Sequence, residues 1–235
     1  MTWLEEGYQR GMVVVAHPDD AEWGCAGTVA LWCSMGWDVV YVMCTDGSKG
    51  TSDPEMTSQR LVEIRKQEQE NAGKVLGLSH IAFLGYEDAM LQPTLELRRD
   101  IAREIRRHRP DVLICQSPAR RLTGDSWIGH PDHYASGEAA MAAVFPTARD
   151  RLTNPELLAE GLEPHKVREL WVTDQEDQDL FVDVSQHMDT AVKAILQHKS
   201  QIGDGDVGKY LREGRQRGGA KVGLEYAETF KQFRL

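Results

Sequence analysis

The sequence predicts an α/β fold of the Rossmann-like kind, with a largely parallel sheet and helices on both faces. Two observations carry that expectation. Short, almost wholly apolar runs alternate with longer segments of helical spacing, and Gly or Pro stands at several of the junctions. Parallel neighbours need crossover connections, and a regular strand–helix alternation supplies them. At 235 residues the chain is long enough for one sizeable core, so residues 1–235 read as a single domain.

The elements follow in order. Met12 to Val15 is a buried strand, and Ala26 to Met35 has helical spacing and stops at Gly36. Asp38 to Cys44 is the second strand, and the polar stretch Thr45 to Ser58 is a loop. Gln59 to Leu76 is a charged amphipathic helix closed by Gly77, followed by a strand near His80 to Leu84. Leu95 to His108 is an Arg-rich amphipathic helix, and Pro110 separates it from the strand Asp111 to Cys115. A loop from Gln116 to Gly129 leads to the helix Asp132 to Val144. A strand at Glu169 to Thr173 and a helix around Met188 to His198 come next. The stretch 201–223 is rich in Gly, Arg and Lys and reads as a mobile loop or an assembly segment within the domain.

Composition narrows the function. A formal charge of −10 opposes tight binding to phosphate backbones or anionic membranes, so neither nucleic acid nor a membrane is an expected partner. No apolar stretch reaches the length of a membrane span, and the first residues lack a basic and apolar leader pattern. A cytoplasmic location is the expectation. The four cysteines form no CxxC pair and read as buried reduced thiols.

Chemistry concentrates in two short clusters. AHPDD, residues 16–20, follows the first strand, and ligands in such sheets gather outside the carboxyl ends of the strands. His17 and Asp20, three positions apart, can converge across one tight turn, while Asp19 aims elsewhere. The second cluster, HPDH at 130–133, opens a helix, with Pro131 suited to its first position and both His130 and His133 directed at the same mouth of the sheet. Taken singly, each cluster could be a solvated strand end or a capped helix start. Together they describe a site in which two histidines and one carboxylate hold Zn²⁺ and leave a coordination position for water. Such a metal lowers the pKa of its water to about 7 and polarises a carbonyl. A free carboxylate can take the water's proton, and a free histidine can stabilise an oxyanion.

These motifs resemble those of the zinc-dependent de-N-acetylases of the LmbE-like, or PIG-L, superfamily. Supporting resemblance runs through TDGSKGT at 45–51, Arg65 and Glu68 as R-x-x-E, GYEDAML at 85–91, HKSQ at 198–201 and AETF at 227–230. The resemblance implies that His17, Asp20 and His133 ligate Zn²⁺, or another divalent metal. It implies that Asp19 is the general base, and that His130 stabilises the oxyanion or protonates the leaving amine. Asp132 would orient and charge-tune a histidine. Arg65 and Asp88 match positions near the substrate, against the alternatives of a solvated helix face and an ordinary loop carboxylate. Trp127 could stack on a sugar ring or anchor its loop. Arg120 and Arg121 could meet an acidic substrate or simply be surface residues, and Glu22 could serve only to favour a helix start.

The implied reaction is removal of an N-acetyl group from an N-acetylglucosamine-type sugar or conjugate, by an enzyme that self-associates. An amidase acting on a thiol conjugate at the same site is the alternative, and a phosphoesterase would need more ligands. A nucleotide- or sugar-binding module without catalysis is a further reading. Against it, the first strand leads into HPDD, and Gly24 and Gly27 come too late for a glycine-rich phosphate turn.

Overall fold

The computed structural model describes residues 7–120, 128–173, 176–203 and 205–235. Its first half alternates strand and helix: β1 (Arg10–Val15), α1 (Asp20–Ser34), β2 (Asp38–Thr45), α2 (Ser58–Leu76), β3 (His80–Tyr86), α3 (Leu95–His108) and β4 (Val112–Cys115). Then come α4 (Pro131–Ala142), α5 (Pro155–Ala159), β5 (Glu169–Val172), β6 (Leu180–Asp183), α6 (Met188–Ile195), α7 (Val207–Ala220) and β7 (Ala227–Arg234). The sheet has seven strands in the order β3-β2-β1-β4-β5-β7-β6. The five strands β1 to β5 pair in parallel, and β7 joins β5 and β6 antiparallel.

The apolar runs are continuous because the parallel strands are buried on both faces. Along β1, Val13 and Val15 enter one core with α1, α2, α6 and α7, while Met12 and Val14 enter the other with α3, α4 and α5. Residues that alternate in sequence thus feed opposite layers. Strand order reverses direction between β1 and β4, which opens a crevice at their carboxyl ends. The AHPDD turn leaves β1 there, and Gln116 leaves β4 beside it.

The structure departs from the sequence reading in three places. Helix α1 begins at Asp20, not Ala26, and breaks at Cys25 (φ −152°, ψ 21°). The restart is capped from afar: Gly27 and Thr28 donate their amides to the two carboxylate oxygens of buried Glu228 at 3.0 and 2.7 Å. Arg215 holds the same carboxylate at 3.1 Å, so AETF is an anchor for α1. Strands β6 and β7 and the short helix α5 are additions. Within 201–223, expected as a mobile loop or an assembly segment, Val207 to Ala220 is helical, and Gly218 faces β7 so closely that a Cβ there would stand 2.7 Å from the Ala227 carbonyl oxygen.

Candidate active site

The HPDD turn closes on itself. The His17 amide donates to Asp20 Oδ2 at 2.7 Å and the Asp20 amide to the His17 carbonyl at 3.3 Å. His17 Nδ1 lies 3.2 Å from the same Asp20 oxygen, and His133 Nε2, from the first turn of α4, lies 3.0 Å from Asp20 Oδ1. His17, Asp20 and His133 therefore bring their donor atoms within 4.8 Å of one another. A second set, His17, Asp88, His130 and Asp132, meets the same limit and shares the His17 ring.

Asp132 is the buried hub of that second set. Its Oδ2 stands 3.2 Å from His17 Nε2 and accepts the Ala89 amide at 2.8 Å, while Oδ1 accepts the Leu91 amide at 3.3 Å. Asp88 is 4% exposed. Its Oδ1 meets His17 Nε2 at 3.1 Å and its Oδ2 accepts the Lys49 amide at 3.0 Å. Burial opposes charge on Asp88, yet His17 and the Lys49 amide hold its carboxyl well below the usual range.

Three carboxylates gather around the His17 ring. Burial opposes a positive His17, but Asp20, Asp132 and Asp88 outweigh it and push the imidazole up to about 12. Likewise burial penalises Asp20, and His133 with His17 more than reverses this. Two imidazoles and one carboxylate are a donor set suited to a transition metal, and Asp132 and Asp88 lie within hydrogen-bond distance of the His17 ring. The residues present therefore fit a divalent metal ion.

Asp19 sits apart from both sets. Its backbone is left-handed (φ 97°), which costs energy in a residue other than glycine. Burial and the Asp20 charge push its carboxyl up to about 7, against Arg65, His198 and His17. The strained peptide is held from behind. The Asp19 amide donates to Gln69 Oε1 at 3.1 Å, Gln69 Nε2 donates to Glu22 Oε1 at 3.1 Å, and Glu22 Oε2 meets His198 Nε2 at 3.1 Å. Gln69, Glu22 and His198 are all fully buried. Glu22 thus does more than favour the start of α1.

Arg65 is 3% exposed, which excludes a solvated helix face. Its guanidinium donates to the Pro18 carbonyl at 2.7 Å and the Gly47 carbonyl at 3.1 Å, and lies 3.6 Å from Asp19 Oδ1. One turn on, Glu68 accepts from the amide and hydroxyl of Ser200. His130 caps α4: its Nδ1 accepts the Asp132 amide at 3.2 Å, which leaves the proton on Nε2. Burial and the neighbouring His17 hold its pKa down. Arg120 stacks over Tyr134, while Arg121 and Trp127 lie outside the described residues.

The sequence reading missed Gln69 and Gln116. Gln116 Oε1 accepts from the Ala16 amide at 2.9 Å and the Ser136 hydroxyl at 2.7 Å, tying the end of β1 to α4. Neither belongs to a motif of chemically active residues. Their only signal was position: one on a helix beside Arg65, the other directly after β4.

Residues 12–144 match the model of the PIG-L family, described as GlcNAc-PI de-N-acetylase. The chain is 32% identical over 230 residues to diacetylchitobiose deacetylase of Thermococcus kodakarensis, covering 95% of this chain and 82% of the relative. It is 28% identical over 169 residues to mycothiol S-conjugate amidase of Streptomyces coelicolor, covering 63% and 55%. Among solved structures, N,N′-diacetylchitobiose deacetylase from Pyrococcus horikoshii superposes with a TM-score of 0.90 at 28% identity, over 97% of this chain and 85% of that one. No helix among the described residues is long and apolar enough to cross a membrane. The protein is a member of the PIG-L, or LmbE-like, family of de-N-acetylases.

Proposed function

We propose that the chain hydrolyses the acetamide of an N-acetylglucosamine-type sugar, releasing acetate and a free amine. The observation that carries this is the division of the HPDD carboxylates: Asp20 stands among the histidines, and Asp19 stands beside them in a strained backbone with its pKa raised. His17, Asp20 and His133 would hold Zn²⁺, which supplies a lowered water pKa and a polarised acyl oxygen when bound. Asp132 fixes the His17 ring from the Nε2 side.

Asp19 takes the proton of the attacking water. His130, neutral and protonated at Nε2, donates to the acyl oxygen as negative charge gathers there. With His130 kept neutral, the protonated Asp19 is the acid that hands the proton to the departing nitrogen. Arg65 and Asp88 line the polar side of the centre, where sugar hydroxyls would be recognised. An amidase acting on a thiol conjugate is the second reading, supported by the likeness to the mycothiol S-conjugate amidase. A cytoplasmic, self-associating enzyme of one domain completes the proposal.

The test is acetate release by zinc-loaded protein from N-acetylglucosamine, diacetylchitobiose, inositol glycosides and thiol conjugates, with Asp19→Asn as the blank. Turnover confined to thiol conjugates selects the second reading. Silence across the whole panel with zinc bound overturns both.

A further inference from the structure

A cavity of about 300 Å³ lies in the crevice between β1 and β4, on the α1 face of the sheet. Val13, Val15, Ile114, Cys25, Thr173 and Gln116 line it, and it also touches Asp20 and His133. Arg65, Asp88 and His130 do not line it. The centre is therefore two-sided, with the polar groups of Arg65, Asp88 and His130 on one flank and a chamber lined by more apolar than polar residues on the other. Burial pushes the Cys25 and Cys115 thiols up, so those walls carry no charge at neutral pH.

Amide hydrolysis separates two halves of unlike chemistry. Water adds its oxygen to the carbonyl carbon, the C–N bond breaks, the nitrogen takes up a proton, and the acyl half departs as a carboxylate. A sugar amine matches the polar flank, and a hydrocarbon acyl tail matches the chamber. A group the size of a water or an acetyl methyl needs about 10–15 Å³ of such space, a small fraction of the chamber.

We infer that this chamber receives the acyl group and that the enzyme accepts straight-chain N-acyl groups longer than acetyl, from butanoyl to hexanoyl, on an amino-sugar. The inference rests on the proposed deacylase reading. Gly24 offers the means to test it. It sits on α1 with a helical backbone, and a Cβ there would meet Thr173 Cγ2 at an ordinary 3.7 Å, so a larger side chain fits at the chamber wall without a clash at its first atom.

The experiment measures calorimetric affinity of zinc-loaded protein for acetate, propanoate, butanoate and hexanoate, beside kcat/KM for the matching N-acylglucosamines. Binding is expected to tighten about fourfold per added methylene. Gly24→Leu is expected to flatten that series and lower the hexanoyl-to-acetyl ratio of kcat/KM at least tenfold. Gly24→Ala, a smaller step, reports the same trend if the leucine variant does not fold. A flat carboxylate series in the unaltered protein, or a series untouched by both variants, overturns the inference even where acetyl is hydrolysed. A rising series with no amide turnover keeps the chamber's affinity and overturns the deacylase reading.

Discussion

Gln69 holds Asp19 by its backbone: the amide of a residue at φ 97° donates to the Gln69 side-chain oxygen at 3.1 Å, and the other end of that side chain is fixed by Glu22. A left-handed Asp persists only where its surroundings over-determine it. Removing the acceptor lets the turn relax and moves the proposed base. Gln69→Leu should therefore lower kcat by about 10²-fold, since a displacement on the order of 1 Å costs that much. KM and bound zinc should stay within about twofold, because no ligand contacts Gln69. Parallel kinetics and metal analysis decide the matter, and a loss of zinc in step with kcat would show a general collapse instead.

Asp19→Asn tests the base itself. The amide keeps the shape of the side chain but cannot take a proton, so kcat should fall about 10²- to 10⁴-fold while zinc stoichiometry is kept. An active variant would transfer the role elsewhere, and an inactive variant without metal would move Asp19 into the ligand set.

Asp132→Asn addresses metal affinity. His17 Nε2 faces a carboxylate oxygen at 3.2 Å, and that carboxylate makes the ring a better ligand. Zinc affinity, read by competition with a chromophoric chelator, should drop about 10- to 100-fold. Unchanged affinity would place His17 in the ligand set without help from Asp132.

Much of this was legible locally. Strands β1, β2 and β4 are short apolar runs of the kind that a strand buried on both faces needs, and HPDD and HPDH place His17, Asp20 and His133 at strand and helix ends. The supporting residues were not. Gln69 and Arg65 lie on a helix whose polar residues resemble a solvated face, and only the packing of α2 against the HPDD turn buries them. Glu22 finds His198 across 176 positions, a pairing that no local pattern encodes. Helix α7 carries four glycines, which weaken helix propensity, and at Gly218 only a missing side chain lets the helix approach β7. Strand β7 mixes buried and exposed positions and pairs antiparallel, so it lacks the apolar run that identifies β1.

Asp100 makes the acid side of stability testable. Burial opposes its charge, but Tyr86 at 2.8 Å, with Arg103 and Arg99, lowers its pKa below the ordinary carboxylate value. A group depressed in the folded state stabilises the fold above its unfolded pKa, and that stability is lost as pH falls through the folded value. Asp100→Asn should thus be less stable than the unaltered protein at neutral pH, with the gap closing below about pH 4. Chemical denaturation across pH 3 to 7 measures it, and a gap that widens in acid would contradict the assignment.

Glu228 is the longest-range anchor of the site. Two α1 amides depend on it at the break after Cys25, and so does Arg215. Glu228→Ala leaves both amides without their acceptor, at a cost of about 1–3 kcal/mol for each, while Arg215 keeps the Trp23 carbonyl. The melting temperature should fall by several degrees, since a loss of 1 kcal/mol is worth about 2–4 °C in a chain of this size. Because the first turn of α1 carries Asp20, the destabilised N-terminal half should also weaken zinc binding. Glu228→Gln keeps one acceptor oxygen and should recover part of both losses. A variant that melts early yet binds zinc normally would show that the two halves of α1 are uncoupled, and that the HPDD turn is held by Gln69, Arg65 and Gln116 alone.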